Sequence, residues 1–280
     1  MANETEAKTT GINQLTTPDF ERIASRYDRI QPNMRPITDA LLERLPETRD
    51  GALVLDVGSG TGEPGLTLAR RAPGLRLLGI DKEPAMVGVA RHKAATEPVP
   101  NARFEVMDAE RLDLDDNGAA AVISQNGLLL FGDPVAGAAE MARVLEPGGP
   151  FSLAVWDRPQ LNTFTVLALR TLGEVLPPDE VPGVDWMGEL AAPGRREGWL
   201  RDAGMRPVHS ELFRWTAHLS DFSAVRDLME IGPFGPFFSN LGDDERARAY
   251  DYLEDLVSEY RETDGSYRTP MGCRLLWGQA

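Results

Sequence analysis

The stretch Leu55-Asp56-Val57-Gly58-Ser59-Gly60-Thr61-Gly62-Glu63-Pro64-Gly65 decides the fold. It closes a short apolar run, Ala52 to Val57, that stops at glycines as a buried parallel strand does. Helical character resumes from Gly65 to Ala72. Gly60-x-Gly62-x-x-Gly65 matches a dinucleotide fingerprint literally, but that frame starts too late, since Gly58 must already turn the chain. The frame that begins at the strand end is Gly58-x-Gly60-x-Gly62, with Asp56 inside the strand. An acid beneath the loop is badly placed for a pyrophosphate and well placed to order the loop amides.

Outward from the loop, strands and helices alternate. Strands are expected over Leu75 to Ile80 (ending at Asp81), Arg103 to Met107 (ending at Asp108), Ala119 to Ser124 and Pro150 to Trp156. Helices are expected between them, from Pro84 to about Ala95 and from Pro134 to Leu145. No hairpin turn separates these strands, which implies a parallel sheet covered on both faces. Upstream, Thr17 is expected to cap a helix with Pro18 at its first position, Asp19 in its first turn and an end near Ile30. Pro36 is expected to open a second helix, to about Leu45. Downstream come a helix from Leu161 to Leu176, an irregular stretch over 177–194, a helix from Arg195 to Ala203 and a strand from Val208 to Leu219. A helix from Asp221 to Ile231, a loop over 232–240, a long helix from Asp243 to Tyr260 and a strand from Met271 to Trp277 complete the chain.

A series of signatures in order along the chain resembles the class I S-adenosylmethionine-dependent methyltransferases. The glycine loop is similar to their first motif, and Leu145-Glu146-Pro147-Gly148-Gly149 to their L-x-P-G-G signature. Asp81 and Asp108 end successive strands, Gln125 and Asn126 follow the next, and Gly198 to Met205 resembles the entry into strand six. The N-terminal Phe20-x-x-Ile23-Ala24-x-x-Tyr27-Asp28 resembles the ubiquinone/menaquinone methyltransferase branch. The resemblance implies an α/β, Rossmann-like sheet of seven strands, mostly parallel with the last antiparallel, carrying α-helical cap or lid insertions. It implies one methyltransferase domain over 18–280 behind a flexible tail, 1–17, with cap elements near 18–45, 158–194 and 221–260.

The implied cofactor is S-adenosylmethionine, with S-adenosylhomocysteine as product. Its implied contacts are Tyr27, Asp56, Gly58, Ser59, Gly60, Gly62, Asp81, Lys82, Met86, Asp108, Ala109, Gln125 and Asn126. Asp81 would take the ribose hydroxyls, Asp108 with Ala109 the adenine, and Tyr27 would close over the cofactor. Carboxylate-to-diol geometry also serves nicotinamide dinucleotides, so Asp81 alone does not choose. Trp156, Trp186, Met187, Phe234, Phe237 and Phe238 are candidates to line an acceptor site, with core packing as the competing reading. No general base stands out; Asp133, Asp157 and His209 are weak candidates. A metal site is not expected.

The chain's 29 basic against 44 acidic residues leave a net charge of −15, a surface that repels nucleic-acid backbones and anionic membranes. Cys273 is the single cysteine, so no intramolecular disulfide is available, and the polar start of the chain does not read as a secretory signal. No apolar run is long enough to span a bilayer, and a cytoplasmic protein is expected. Lysine is confined to Lys8, Lys82 and Lys93, and the chain's many Arg, Gly and Pro fit a GC-rich bacterial source. The expected chemistry is methyl transfer to an O, N or C nucleophile of a small, apolar or aromatic molecule, such as a secondary metabolite or a quinone-like ring. Three alternatives stand beside it: a cofactor-binding relative that catalyses cyclisation, a nicotinamide-dependent oxidoreductase, and a non-catalytic sensor. Monomer and homodimer are not distinguished.

Overall fold

The computed structural model describes residues 19–183 and 185–280, without the side chains of 185–187. In chain order the elements are α1 (Phe20–Tyr27), α2 (Gln31–Glu43), β1 (Leu53–Val57), α3 (Gly65–Arg71), β2 (Arg76–Asp81), α4 (Pro84–Thr96), β3 (Ala102–Val106), β4 (Ala121–Gln125), α5 (Pro134–Val144) and β5 (Pro150–Trp156). Then come α6 (Thr163–Val175), α7 (Asp185–Leu190), α8 (Arg195–Asp202), β6 (Val208–Leu219), α9 (Phe222–Ile231), α10 (Gly235–Asn240), α11 (Asp243–Val257) and β7 (Tyr267–Gln279). None of the described helices is long and apolar enough to cross a membrane.

The seven strands form one sheet in the order β3-β2-β1-β4-β5-β7-β6, parallel except for β7, which runs antiparallel to both its neighbours. The order reverses between β1 and β4, which opens a crevice at their carboxyl ends. Alternation along the strands explains both faces. Val54, Ile123, Ala154 and Leu275 turn towards α2, α3 and α4, while their chain neighbours Leu55, Val122, Val155 and Leu276 turn towards α5 and α8.

A third apolar cluster sits beyond the sheet. Trp156, the last residue of β5, pairs with Cys273 of β7, so residues 267–272 run on past the end of β5. At about 3.4 Å per residue that extension is roughly 20 Å long. It brings Tyr267 and Met271 of β7, with Ala217 and Leu219 of β6, against α1, α6, α9, α10 and α11. These helices therefore pack over the carboxyl ends of the strands, where the crevice opens.

Several expectations are corrected. Thr17 and Pro18 lie outside the described residues, and the N-cap of α1 is Asp19, whose carboxylate accepts from the Arg22 N–H at 3.1 Å. Pro36 does not open α2 but lies inside it; Pro32 holds the first turn, where its missing N–H costs nothing. Within 177–194 the chain forms α7, and within 232–240 it forms α10, with Pro236 in the first turn. The last strand is longer than Met271 to Trp277, because twelve pairs with β6 carry it through Arg268 and Pro270.

Candidate active site

The loop after β1 is built by backbone geometry that side chains resist. Gly58, Gly60 and Gly62 all have positive φ, and a Cβ on Gly58 would come within 3.1 Å of the Gly127 Cα. The N–H groups of Gly58 and Ser59 both donate to the Ile80 carbonyl, at 2.9 and 2.8 Å, which pins the loop to the end of β2. Beneath it, Asp56 is fully buried and its Oδ2 accepts the Gly65 N–H at 2.9 Å, holding the start of α3. Burial pushes the Asp56 carboxyl up to about 8. Its Oδ1 has no partner among the described residues.

Asp81 ties this loop to the next turn. Its two carboxylate oxygens accept the N–H groups of Gly60 and Glu83, each at 2.9 Å. Burial raises its pKa, against the pull of those two N–H groups. Asp81 stands on the wall of a cleft of about 690 Å³ at the carboxyl ends of β1, β2 and β4. Tyr27, Gly58, Gly60, Lys82 and Met86 line the same cleft, as do Asp108, Ala109, Gln125 and Asn126. Asp108 accepts the Glu110 N–H at 2.9 Å, and Gln125 accepts the Thr38 hydroxyl at 2.8 Å.

Asp56, Ser59 and Gly62 do not reach this cleft. Asp56 and Ser59 are buried behind the loop, and a Cβ on Gly62 would meet Leu66 at 2.8 Å and Ala90 at 3.3 Å. They shape the loop rather than line the space. Met107, Leu130 and Phe131 line the cleft without having been singled out in the sequence, and so does Phe20, which opens the N-terminal motif but was not named as a site residue. A Phe-to-Tyr spacing of seven on α1 was the one available signal, since it places Phe20 and Tyr27 on one helix face, with ring centroids 6.3 Å apart.

A second cavity of about 1120 Å³ opens beside the first, under α6, α9 and the segment that leads into α10. Both cavities are lined by Phe20, Tyr27, Asn126 and Leu130, so these four residues form the junction. Of the acceptor candidates, Trp156 and Phe234 line this chamber. Phe237 and Phe238 do not: both pack in the helical cluster, and Phe238 stacks on Tyr250 at 6.2 Å. The side chains of Trp186 and Met187 lie outside the described residues, but Leu190 of the same helix reaches the chamber.

The three candidate bases fare differently. Asp133 caps α5, accepting from the N–H groups of Val135 and Ala136, and lines neither cavity. His209 stacks on Trp277 at 5.3 Å, and Trp277 pairs with Ser152 near the start of β5, at the opposite end of the sheet from the cleft. Asp157 does line the chamber, but its Oδ2 is held by Nε and Nη2 of Arg274, both at 2.9 Å.

Residues 54–149 match the family model described as a methyltransferase domain. Over 162 residues the chain is 39% identical to a demethylmenaquinone methyltransferase of Deinococcus radiodurans, covering 56% of this chain and 67% of that protein. It is 32% identical over 167 residues to a demethylmenaquinone methyltransferase of Thermus thermophilus, covering 56% of this chain and 73% of that one. The chain belongs to the class I S-adenosylmethionine-dependent methyltransferases. It falls in their ubiquinone/menaquinone-like branch. A solved phosphoethanolamine N-methyltransferase of Haemonchus contortus, in complex with S-adenosylhomocysteine, shares the fold at TM-score 0.59 and 15% identity, over 93% of this chain and 59% of that one.

The cofactor of this methyltransferase is S-adenosylmethionine, and its cleft suits that molecule. Among the described residues, Asp81, Glu83, Asp108 and Glu110 line it against one cation, Lys82, an environment that favours a sulfonium and opposes a pyrophosphate. The nicotinamide and cyclase alternatives gain no support from these likenesses.

Proposed function

We propose that the methyltransferase passes the sulfonium methyl to a small apolar ring, of which quinone-type rings are the leading class, held in the larger cavity. One observation carries this reading: a chamber of about 1120 Å³ with a mostly apolar wall shares a junction of four residues with the cofactor cleft. The demethylmenaquinone methyltransferases among the relatives, whose matches cover 56% of this chain, point to the same class.

Bound in the cleft, S-adenosylmethionine supplies an electrophilic methyl carbon on a positively charged sulfur. The chain's own contribution is placement. In the proposed roles, Asp81 holds the ribose hydroxyls with the lone pairs that the Gly60 and Glu83 N–H groups leave free. Gly58 and Gly60 offer backbone without a Cβ in the way. Phe20, Tyr27 and Leu130 keep water from the junction, and Asn126 presents the acceptor. Holding a nucleophile about 3 Å from the carbon it attacks accounts for much of such a rate enhancement. The cap that sets acceptor choice comprises the helices within 18–45, 158–194 and 221–260.

The test is transfer of isotopically labelled methyl from S-adenosylmethionine to a short-chain 1,4-naphthoquinol, with phosphoethanolamine as the polar comparison. Label is expected in the ring and not in the phosphoamine; the reverse pattern would overturn the reading. Phe234→Leu is expected to raise KM for the ring about tenfold or more, the equivalent of about 1.4 kcal/mol, while the Kd for S-adenosylhomocysteine stays within about twofold.

A further inference from the structure

Apolar side chains, among them Met34, Phe164, Leu190, Met229 and Met271, make most of the chamber wall, and one corner breaks the pattern. Asp157, Asn162 and Thr165 all line the cavity, although only 4%, 9% and 3% of their surfaces are exposed. Strand register brings them together. Trp156, at the end of β5, pairs with Cys273, and Asn162 bridges to Met271, two residues away on β7. Thr165 follows one helical turn after Asn162, at the start of α6.

The local hydrogen bonds leave both donors and an acceptor for the cavity. Asn162 caps α6: its Oδ1 accepts the Thr165 N–H at 3.2 Å, which fixes the amide and directs its NH2 away from the helix. Neither that NH2 nor the Thr165 hydroxyl enters a hydrogen bond among the described residues, and neither is sealed from the cavity. Asp157 accepts Nε and Nη2 of Arg274 on Oδ2, at 2.9 Å each, and the Arg158 N–H on Oδ1 at 2.7 Å. A carboxylate oxygen has two lone pairs, so Oδ1 keeps one. The cap needs only an oxygen, which serine would supply, and valine would fill the space of Thr165. The additional donors are costly in an apolar wall unless a ligand pairs them.

We infer that this corner recognises a neutral hydroxyl of the acceptor, remote from the atom that takes the methyl. The hydroxyl donates to Asp157 Oδ1 and accepts from the Asn162 NH2 or the Thr165 hydroxyl; an ether or ketone cannot donate, and a methyl group can do neither. The inference rests on the chamber's being the acceptor site. Asn126 at the junction donates its N–H to the Ala154 carbonyl at 2.7 Å. Asp157 stands three residues further along the chain, roughly 10 Å at about 3.3 Å per residue. A two-ring body spans that interval, so the acceptor is a ring system with a hydroxyl at the end opposite the transfer point. Such a corner rejects an analogue that lacks the hydroxyl, because its own polar groups are then left unpaired.

Three fluorescent two-ring probes of similar shape test this on protein loaded with S-adenosylhomocysteine: 2-naphthol, 2,6-dihydroxynaphthalene and 6-methoxy-2-naphthol, all neutral at pH 7. The dihydroxy probe is expected to bind about tenfold or more tightly than each of the others. Thr165→Val keeps the shape of the side chain, and Asn162→Ser keeps a capping oxygen. Each is expected to cut the preference to about threefold or less, with the Kd for S-adenosylhomocysteine as the check that the fold is intact. A wild-type preference below tenfold over either probe, or a variant that keeps more than threefold, overturns the inference while the chamber reading stands. If no probe binds the loaded protein, the chamber reading fails and takes the inference with it.

Discussion

Replacing Asp81 by Ala separates the two things its carboxylate does. Within the protein it accepts the Gly60 and Glu83 N–H groups at 2.9 Å each. In the proposed complex its remaining lone pairs accept two ribose hydroxyls. Hydrogen bonds to a charged group contribute about 1.5–3 kcal/mol each, so losing two weakens the cofactor by about 3 kcal/mol or more. At about 1.4 kcal/mol per tenfold that is a rise in Kd of roughly 100-fold or more. Calorimetric titration with S-adenosylhomocysteine reads this directly, and thermal unfolding checks that the variant is folded. A loosened glycine loop would also raise Kd, so the 2′-deoxyribose analogue is titrated in parallel. The wild-type protein is expected to bind the analogue about tenfold or more weakly than the parent, and Asp81→Ala to bind both alike. A Kd within threefold of wild type, or a variant that still discriminates the analogue, would refute the role given to Asp81.

Three further outcomes follow from the geometry. Asp56 is raised from 3.8 to about 8 by burial, so between those values the unfolded state has lost this proton while the folded state keeps it. Stability of the ligand-free protein is therefore expected to fall as pH rises through that window, and Asp56→Asn to flatten the fall in denaturant titrations between pH 5.5 and 8; an unchanged slope would contradict the assignment. A Cβ at Gly65 would lie 2.6 Å from Leu77 Cδ2 and 2.7 Å from Asp56 Oδ2, so Gly65→Ala is expected to cost about 2–3 kcal/mol in the denaturant midpoint, as overpacking does. Arg26 joins α1 to α9 through Asp227 at 3.1 Å and Glu230 at 2.7 Å, and Tyr250 donates to Glu230 at 2.7 Å. Arg26→Ala is expected to cost about 1–2 kcal/mol and to speed hydrogen exchange in α1 before it affects the sheet.

Legibility of this fold in its sequence followed the strength of local signals. β5 and β6 run over the residues the sequence suggests, because Pro150 and Trp156 bracket an unbroken apolar run and Gly204 with Pro207 leads into Val208. The misreadings fell where tertiary packing overrode composition. Gly232-Pro233-Phe234-Gly235-Pro236 looks like a loop, yet Phe238 stacks on Tyr250 and the cluster around it winds residues 235–240 into α10. Arg268 and Pro270 look unlike strand, yet β6 pairs with both. The cleft wall was readable because each strand end carries a turn residue at a fixed offset from a motif: Asp81, Asp108, Asn126. The chamber was not, since Met34, Phe164, Leu228 and Met271 meet only through the fold and none differs locally from a core residue. For the same reason Phe238 looked like lining and is core.

The central claim is that the cofactor sulfur meets the acceptor chamber at the junction of Tyr27 and Asn126. The most direct measurement is a crystal structure of the protein with S-adenosylhomocysteine. The account requires the ribose oxygens within hydrogen-bonding distance of Asp81, the adenine beside Asp108 and Ala109, and the sulfur facing Asn126 and the larger cavity. A ribose away from Asp81, or a sulfur turned from the chamber, would contradict it.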